Sequence, residues 1–156
     1  MAFAEDLLEQ AYHLACREKT KPKQASLRRA VSTAYYALFH LLIREAVSNW
    51  KRDDQHAELA RAFEHGRMRK ASQYAAEARF PGEDAQTVAD LKKLADTFVR
   101  LQESRHLADY DSAYEWSRSD ALADVNRASA AFRAWRAIKT EKIAQDDLFR
   151  LLFPRR

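Results

Sequence analysis

Residues 83–109, EDAQTVADLKKLADTFVRLQESRHLAD, decide the fold. Val88, Leu91, Ala95, Phe98, Gln102 and Arg105 recur at alternating spacings of three and four, the repeat of one helical face. Leu94, Leu101 and Ala108 widen that face into the stripe a bundle helix buries. Arg105 stands seven residues after Phe98 and fourteen after Leu91, so it points where they point, into the bundle. The stripe thus ends in a cation. Asp109 and Asp111 then follow, at the end of the helix where the dipole disfavours acids.

The rest of the chain has the same character. It has 156 residues, enough for one domain with a real core. Only 2 Gly and 3 Pro leave few turns for an all-β fold, and 29 alanines favour helix. Segment 3–19 carries Phe3, Leu7, Leu8, Tyr12 and Ala15 at helical spacing, and Pro22 punctuates it, fit for the first turn of the next helix. Segment 23–49 is apolar on more than one stripe, from Leu27 to Ala46. It lies either at the centre of a bundle or with its second face against another chain. Segment 55–78 is weaker, with Leu59, Ala62 and Phe63, a split expected at Gly66 and an end at Pro81-Gly82. Segment 118–142 has Leu122, Val125, Ala128, Phe132 and Trp135 as its core line, and Ser117 with Asp120 resembles a capping pair. The tail, 145–156, carries Leu148, Phe149, Leu151, Leu152 and Phe153, too apolar to stay wet, so it folds back or meets a partner. The expected architecture is all-α: a single domain over 1–156, an up-and-down bundle of four to five helices with its core at about 5–140.

Composition narrows the function classes. The longest apolar run, YYALFHLLI, is far short of the ~20 residues a spanning helix needs, and MAFAEDLLEQ lacks the basic start of a signal peptide. A cytoplasmic protein without membrane contact is expected. Cys16 cannot form an internal disulfide and reads as a small apolar filler in a helix. His13, His56 and His65 show no zinc-type spacing, and no Gly-rich phosphate loop or nucleophile elbow occurs. No metal and no cofactor are expected. The net charge of +4 is mild, but basic residues cluster in REKTKPK, LRR, GRMRK, RAWRAIKTEK and PRR. These clusters fit either a solvated helical surface or contact with nucleic acid.

Arg105 is the chemical question. A buried Arg is costly unless paired, and Asp109, four residues on, shares its face if the helix continues one turn. Breaking a buried pair of this kind would cost on the order of 3–5 kcal/mol. His106 and Tyr110 add an imidazole and a phenol at the same helix end. The arrangement is either a structural ion pair or a polar pocket that binds or cuts an anion, RNA above all. His40, among Tyr35, Tyr36 and Phe39, is either a satisfied core histidine or faces Arg105 across a cleft.

The stretch LRRAVSTAYYALFHLLIREA, residues 27–46, resembles the second helix of the HEPN superfamily, in its branch of small bacterial proteins with RAYYALFHA-type motifs. In that branch a His commonly follows the second helix, a position His56 in DQHAEL would fill. The fourth helix commonly ends Arg-x-x-x-Asp-Tyr, which RHLADYD matches as Arg105, Asp109 and Tyr110. The resemblance covers roughly residues 5–140. It implies a homodimeric helical bundle whose second and fourth helices line a composite cleft. Active members are metal-independent ribonucleases with an Arg-x4–6-His motif, and many are toxins paired with a nucleotidyltransferase antitoxin.

In this chain Tyr110 stands at the motif His position, and a phenol is a poor general base near pH 7. A second register, Arg100 to His106, satisfies the spacing, but the two face different ways on an intact helix. Three functions are therefore in view. The first is a dimeric HEPN-like binding module, as part of a toxin–antitoxin or defence system. Its polar cleft of Arg105, Asp109, Tyr110, His40, Tyr36 and His56 would take RNA, a nucleotide or a partner protein. The second is a metal-independent endoribonuclease toxin with Arg105, His106 and Tyr110 as catalytic residues. The third is a basic helical nucleic-acid-binding protein.

Overall fold

In the computed structural model, residues 2–154 are described. Residue 1 and the last two arginines of PRR, at the ends of the expected domain 1–156, lie outside them. The described residues form helices α1 (Phe3–Ala15), α2 (Gln24–Val47), α3 (His56–Ala60), α4 (His65–Glu77), α5 (Ala85–Tyr110), α6 (Arg118–Ile138) and α7 (Lys142–Leu152). A single 3-10 turn, Asp53–Gln55, precedes α3, and there is no strand among them.

The bundle is built from α1, α2, α5 and α6, and polar ties show their directions. Arg44 near the end of α2 holds Glu5 at the start of α1 by two hydrogen bonds, 2.7 and 2.9 Å. Arg28 at the start of α2 reaches the carbonyl of Ala108 at the end of α5. Arg118 at the start of α6 donates to the carbonyls of Ala15, Glu18 and Lys19 at the end of α1. Trp135 near the end of α6 donates Nε1–H to Glu45 near the end of α2, at 2.8 Å. Successive long helices therefore alternate up and down.

Helix α2 is the central rod. Ala34, Tyr35, Ala37, Leu38, Leu41 and Leu42 are all buried, and α1, α5, α6 and α7 cover its sides. Its several apolar stripes are thus used up within one chain. They supply no ground for a second copy at this helix.

The expected count of four to five helices becomes seven among the described residues, because the third segment forms two helices and the tail forms another. The third segment does not split at Gly66, which lies in the first turn of α4 with open space where a Cβ would stand. The break falls at residues 61–64, where Phe63 drops into the core. Gly82 ends the following turn with φ +81, a left-handed conformation that glycine adopts without a Cβ clash. The tail folds back as α7, burying Ile143, Ala144, Leu148 and Leu151. Phe149 and Phe153 stay outside, packed on each other at 5.1 Å beside an apolar groove with Trp50 and Leu59.

Helix α1 is shorter than the expected segment, and of its expected face Leu7, Leu8 and Ala15 pack inward while the two aromatics do not. Phe3 and Tyr12 are 50% and 52% exposed, and the buried line is Ala4, Ala11 and Ala15. Alanines let α1 approach α2 closely, leaving the aromatics at the rim. The helix ends at Ala15, whose carbonyl accepts from Arg118 Nε at 3.0 Å. Cys16 is consequently an exposed residue beyond the helix end, not a core filler. Pro22 precedes α2 rather than entering its first turn. Glu18 caps that start instead, accepting from Lys23 N–H at 2.9 Å and Ser26 Oγ at 3.0 Å.

The Ser117 cap forms as expected, with Oγ accepting from Asp120 N–H at 3.0 Å. Ser117→Ala should lower stability by about 1 kcal/mol in urea denaturation, the usual worth of such a cap.

Candidate functional site

The site forms where the end of α5 passes the middle of α2 and the start of α4. Three turns of buried apolar contacts, Leu91, Phe98 and Leu101, fix the rotation of α5, and the same rotation carries Arg105 inward. Its side chain is only 13% exposed. The guanidinium lies over the rings of Tyr35 and Tyr36, 5.3 and 5.7 Å from their centroids. Such cation–π contacts are worth roughly 0.5–2 kcal/mol each.

The anticipated acid is present. Asp109 Oδ2 is 3.7 Å from Arg105 Nη1 and accepts from Ser32 Oγ at 3.3 Å. The pair is loose, and Asp109 keeps 31% of its side chain exposed, so solvent screens it. Arg105 Nε is buried and has no hydrogen-bond partner among the described residues. Screening removes most of the 3–5 kcal/mol a fully buried pair would carry. Arg105→Leu should instead cost about 1–2 kcal/mol, mostly lost ring contacts, measurable by urea denaturation.

The acids at the end of α5 have a second explanation. Arg28 of α2 donates to the carbonyl oxygens of Ala108 at 2.9 Å, Asp111 at 2.7 Å and Tyr114. A cation therefore sits against the negative end of the helix dipole, offsetting Asp109 and Asp111. Gln24 and Trp116 pair in both directions, at 2.7 and 2.9 Å, and pin the rest of this loop to α2.

In front of Arg105 lies an open cleft of about 710 Å³, lined also by Arg69, Gln102, Glu103, His106 and Tyr110. Arg69 is held in place by Glu103 at 2.7 Å. His106 and Tyr110, both exposed, pack on each other with ring centroids 4.9 Å apart. The cleft thus offers two guanidinium groups, an imidazole, a phenol and an amide, a set suited to a phosphate and its adjoining polar groups, together with the carboxylates of Glu103, which is engaged by Arg69, and Asp111.

Of the residues singled out in the sequence, Arg105, Asp109, Tyr36, His106 and Tyr110 come together. His40 joins through Tyr36, its ring 6.3 Å away, and packs edge-on to Phe3 at 4.9 Å. Burial holds the His40 pKa below the usual imidazole value. His56 does not join. Its Nε2 is 2.7 Å from the Trp50 carbonyl oxygen and 3.7 Å from Asp53, beyond the end of α2, where it fastens the following turn.

The sequence reading missed His65 at this site. This first residue of α4 stacks on Phe39 at 4.3 Å, and its Nδ1 is 2.6 Å from Tyr35 Oη. Gln102, on the stripe of α5, donates to its carbonyl at 3.2 Å. Burial, then the charges of Arg105 and His40, hold the His65 pKa below its ordinary value. No local pattern marks it, because it reaches Arg105 only through the tertiary packing of Tyr35. Among the described residues no group of three or more His, Cys, Asp or Glu is arranged to hold a metal ion, and no helix is long and apolar enough to cross a membrane.

Fold and cleft together define the class: an all-helical bundle with an arginine-centred polar cleft at the end of one long helix. Comparison with protein-family models, curated proteins and solved structures finds no match for the chain.

Proposed function

We propose that this chain is a HEPN-like binding module whose cleft takes a phosphate of single-stranded RNA at Arg105. The observation that carries the reading is the state of that side chain. It is turned inward, loosely matched by one half-exposed acid, and its buried Nε has no partner beside an open cleft. A cation placed so gains more from a phosphate than from the acid it has, because Asp109 lies 3.7 Å away and is screened. Exposed Tyr110 and His106 offer ring faces for a base next to that phosphate. The resemblance of residues 27–46 and of Arg105, Asp109 and Tyr110 supplies the rest of the reading: a cytoplasmic homodimer working with a nucleotidyltransferase antitoxin.

The basic clusters favour a local site over general coating of nucleic acid. Of the clustered residues, Arg28 is spent on backbone carbonyls, Arg67 on Glu64 at 3.4 Å and Lys142 on Asp146 at 2.7 Å. Titration of a labelled single-stranded oligoribonucleotide, followed by fluorescence anisotropy, tests the reading. Arg105→Ala should weaken binding on the order of 10–100-fold, the worth of one charge-assisted contact. It should also reduce the salt slope by about 0.7. Unchanged affinity and slope would contradict the reading.

A metal-independent endoribonuclease is the second reading, favoured by His106, an exposed imidazole in the same cleft directly after Arg105. Incubation of the chain with RNA in EDTA distinguishes the two. Cleavage that disappears in Arg105→Ala and His106→Ala supports the enzyme, and intact RNA at high protein concentration removes it.

A further inference from the structure

His65 lies beside Arg105, and its hydrogen bond determines what its imidazole can do. Tyr35 is fully buried, and among the described residues its hydroxyl has one hydrogen-bond partner, His65 Nδ1 at 2.6 Å. If Nδ1 carried the ring proton, it would donate to the phenol oxygen, and the phenol hydrogen would be buried without an acceptor. Leaving a buried donor unsatisfied costs about 1–3 kcal/mol. The favoured arrangement is Tyr35 O–H donating to Nδ1, which puts the proton of the neutral ring on Nε2. Nε2 lies on the ring edge away from Tyr35, has no hydrogen-bond partner among the described residues and is open to solvent. Stacking on Phe39, with the planes 19° apart, fixes the ring orientation. Tyr35 is the common neighbour: its ring centroid is 5.6 Å from that of His65 and 5.3 Å from the Arg105 guanidinium.

We propose that His65 is a neutral Nε2–H donor to the phosphate held by Arg105, with Tyr35 as the positioning residue that fixes its tautomer. This deepens the reading of the cleft as a phosphate site and rests on it. The ligand class is a phosphate or phosphodiester anion, bound by a cation and an uncharged donor side by side. In this role His65 takes no proton from the ligand, since its one basic nitrogen is occupied by Tyr35. The ring is in contact with Tyr35, Tyr36 and Phe39 of α2, and the charges that act on it are those of Arg105 on α5 and His40 on α2. None is a carboxylate, so nothing adjacent favours the imidazolium. A protonated ring would also turn an Nδ1–H against the Tyr35 hydroxyl.

Nitrogen NMR of the imidazoles in the full chain tests this directly. The expected spectrum assigns His65 the Nε2–H tautomer, with a titration below that of an exposed histidine. In Tyr35→Phe both tautomers should appear and the titration should move up. Anisotropy with the oligoribonucleotide, and competition by inorganic phosphate, supply the second readout. His65→Ala should weaken binding about 5- to 10-fold, the range of one net hydrogen bond. Finding the Nδ1–H form in the native chain would overturn the proposal. So would His65→Ala with full affinity while Arg105→Ala loses it, and in both cases the phosphate reading survives. Should Arg105→Ala also retain full affinity, the phosphate reading itself fails and this proposal with it.

Discussion

Asp147→Asn should stabilise the chain at pH 8 and leave it nearly unchanged at pH 4. Asp147 is buried on α7, and burial pushes its carboxyl up to about 7, with Arg150 opposing only in part. Below the unfolded value near 3.8 both states hold the proton, and the acid carries no ionisation penalty. As pH rises from about 4 to about 7 the unfolded chain releases its proton while the folded chain keeps it, so stability falls across that window. Above about 7 the folded state releases its proton too and buries the resulting charge, and the penalty is complete. Asparagine fits the space and cannot ionise. The expected gain at pH 8 is on the order of 2–4 kcal/mol, a rise in melting temperature of roughly 5–10 °C for a domain of this size. Thermal denaturation of both proteins at pH 4, 6 and 8 checks it. A gain of equal size at all three values would show that the effect is not ionisation.

Arg28→Ala should be the most damaging single change at the helix ends. One guanidinium serves three carbonyls, those of Ala108, Asp111 and Tyr114, which close α5 and start the loop to α6. Hydrogen bonds from a charged donor contribute about 1.5–3 kcal/mol each, and they do not add fully. A cation at a helix C-terminus contributes up to about 2 kcal/mol more in a partly buried setting. We expect a loss of about 2–4 kcal/mol in urea denaturation, with faster amide exchange concentrated at residues 108–116. Arg28→Lys should recover less than half, because a compact ammonium lacks the guanidinium's fork of donors that reaches three carbonyls. The same variant should weaken RNA binding, because Arg28 holds the segment that carries Asp109 and Tyr110.

The long helices were legible because their burial pattern is carried by large side chains. Helix α5 reads from Val88 to Arg105 on one stripe, and the inward turn of Arg105 followed from that stripe alone. Helix α1 misled because alanines make its contact, while Phe3 and Tyr12 sit at the rim. Large apolar residues dominate any reading of periodicity, so a close approach made by Ala4, Ala11 and Ala15 is hard to see. The break near residue 62 was placed at Gly66 for a similar reason. Glycine is the visible punctuation, whereas the actual stop is Phe63 turning into the core. Of the site, the part on α5 was visible and the part from α4 was not. His65 and Arg105 meet only because Tyr35, on a third helix, touches both. Arg28 was visible only as one member of a basic cluster, since its acceptors are carbonyls, which leave no trace in residue identity.

The central claim is that Arg105 is an inward cation waiting for an anion. The side-chain Nε resonance of Arg105, followed while a short single-stranded oligoribonucleotide is added, measures it most directly. That N–H is buried and has no partner among the described residues. The account predicts a large shift that saturates at the affinity found by anisotropy. An unmoved Arg105 signal, in a sample where the oligonucleotide is bound, would contradict it.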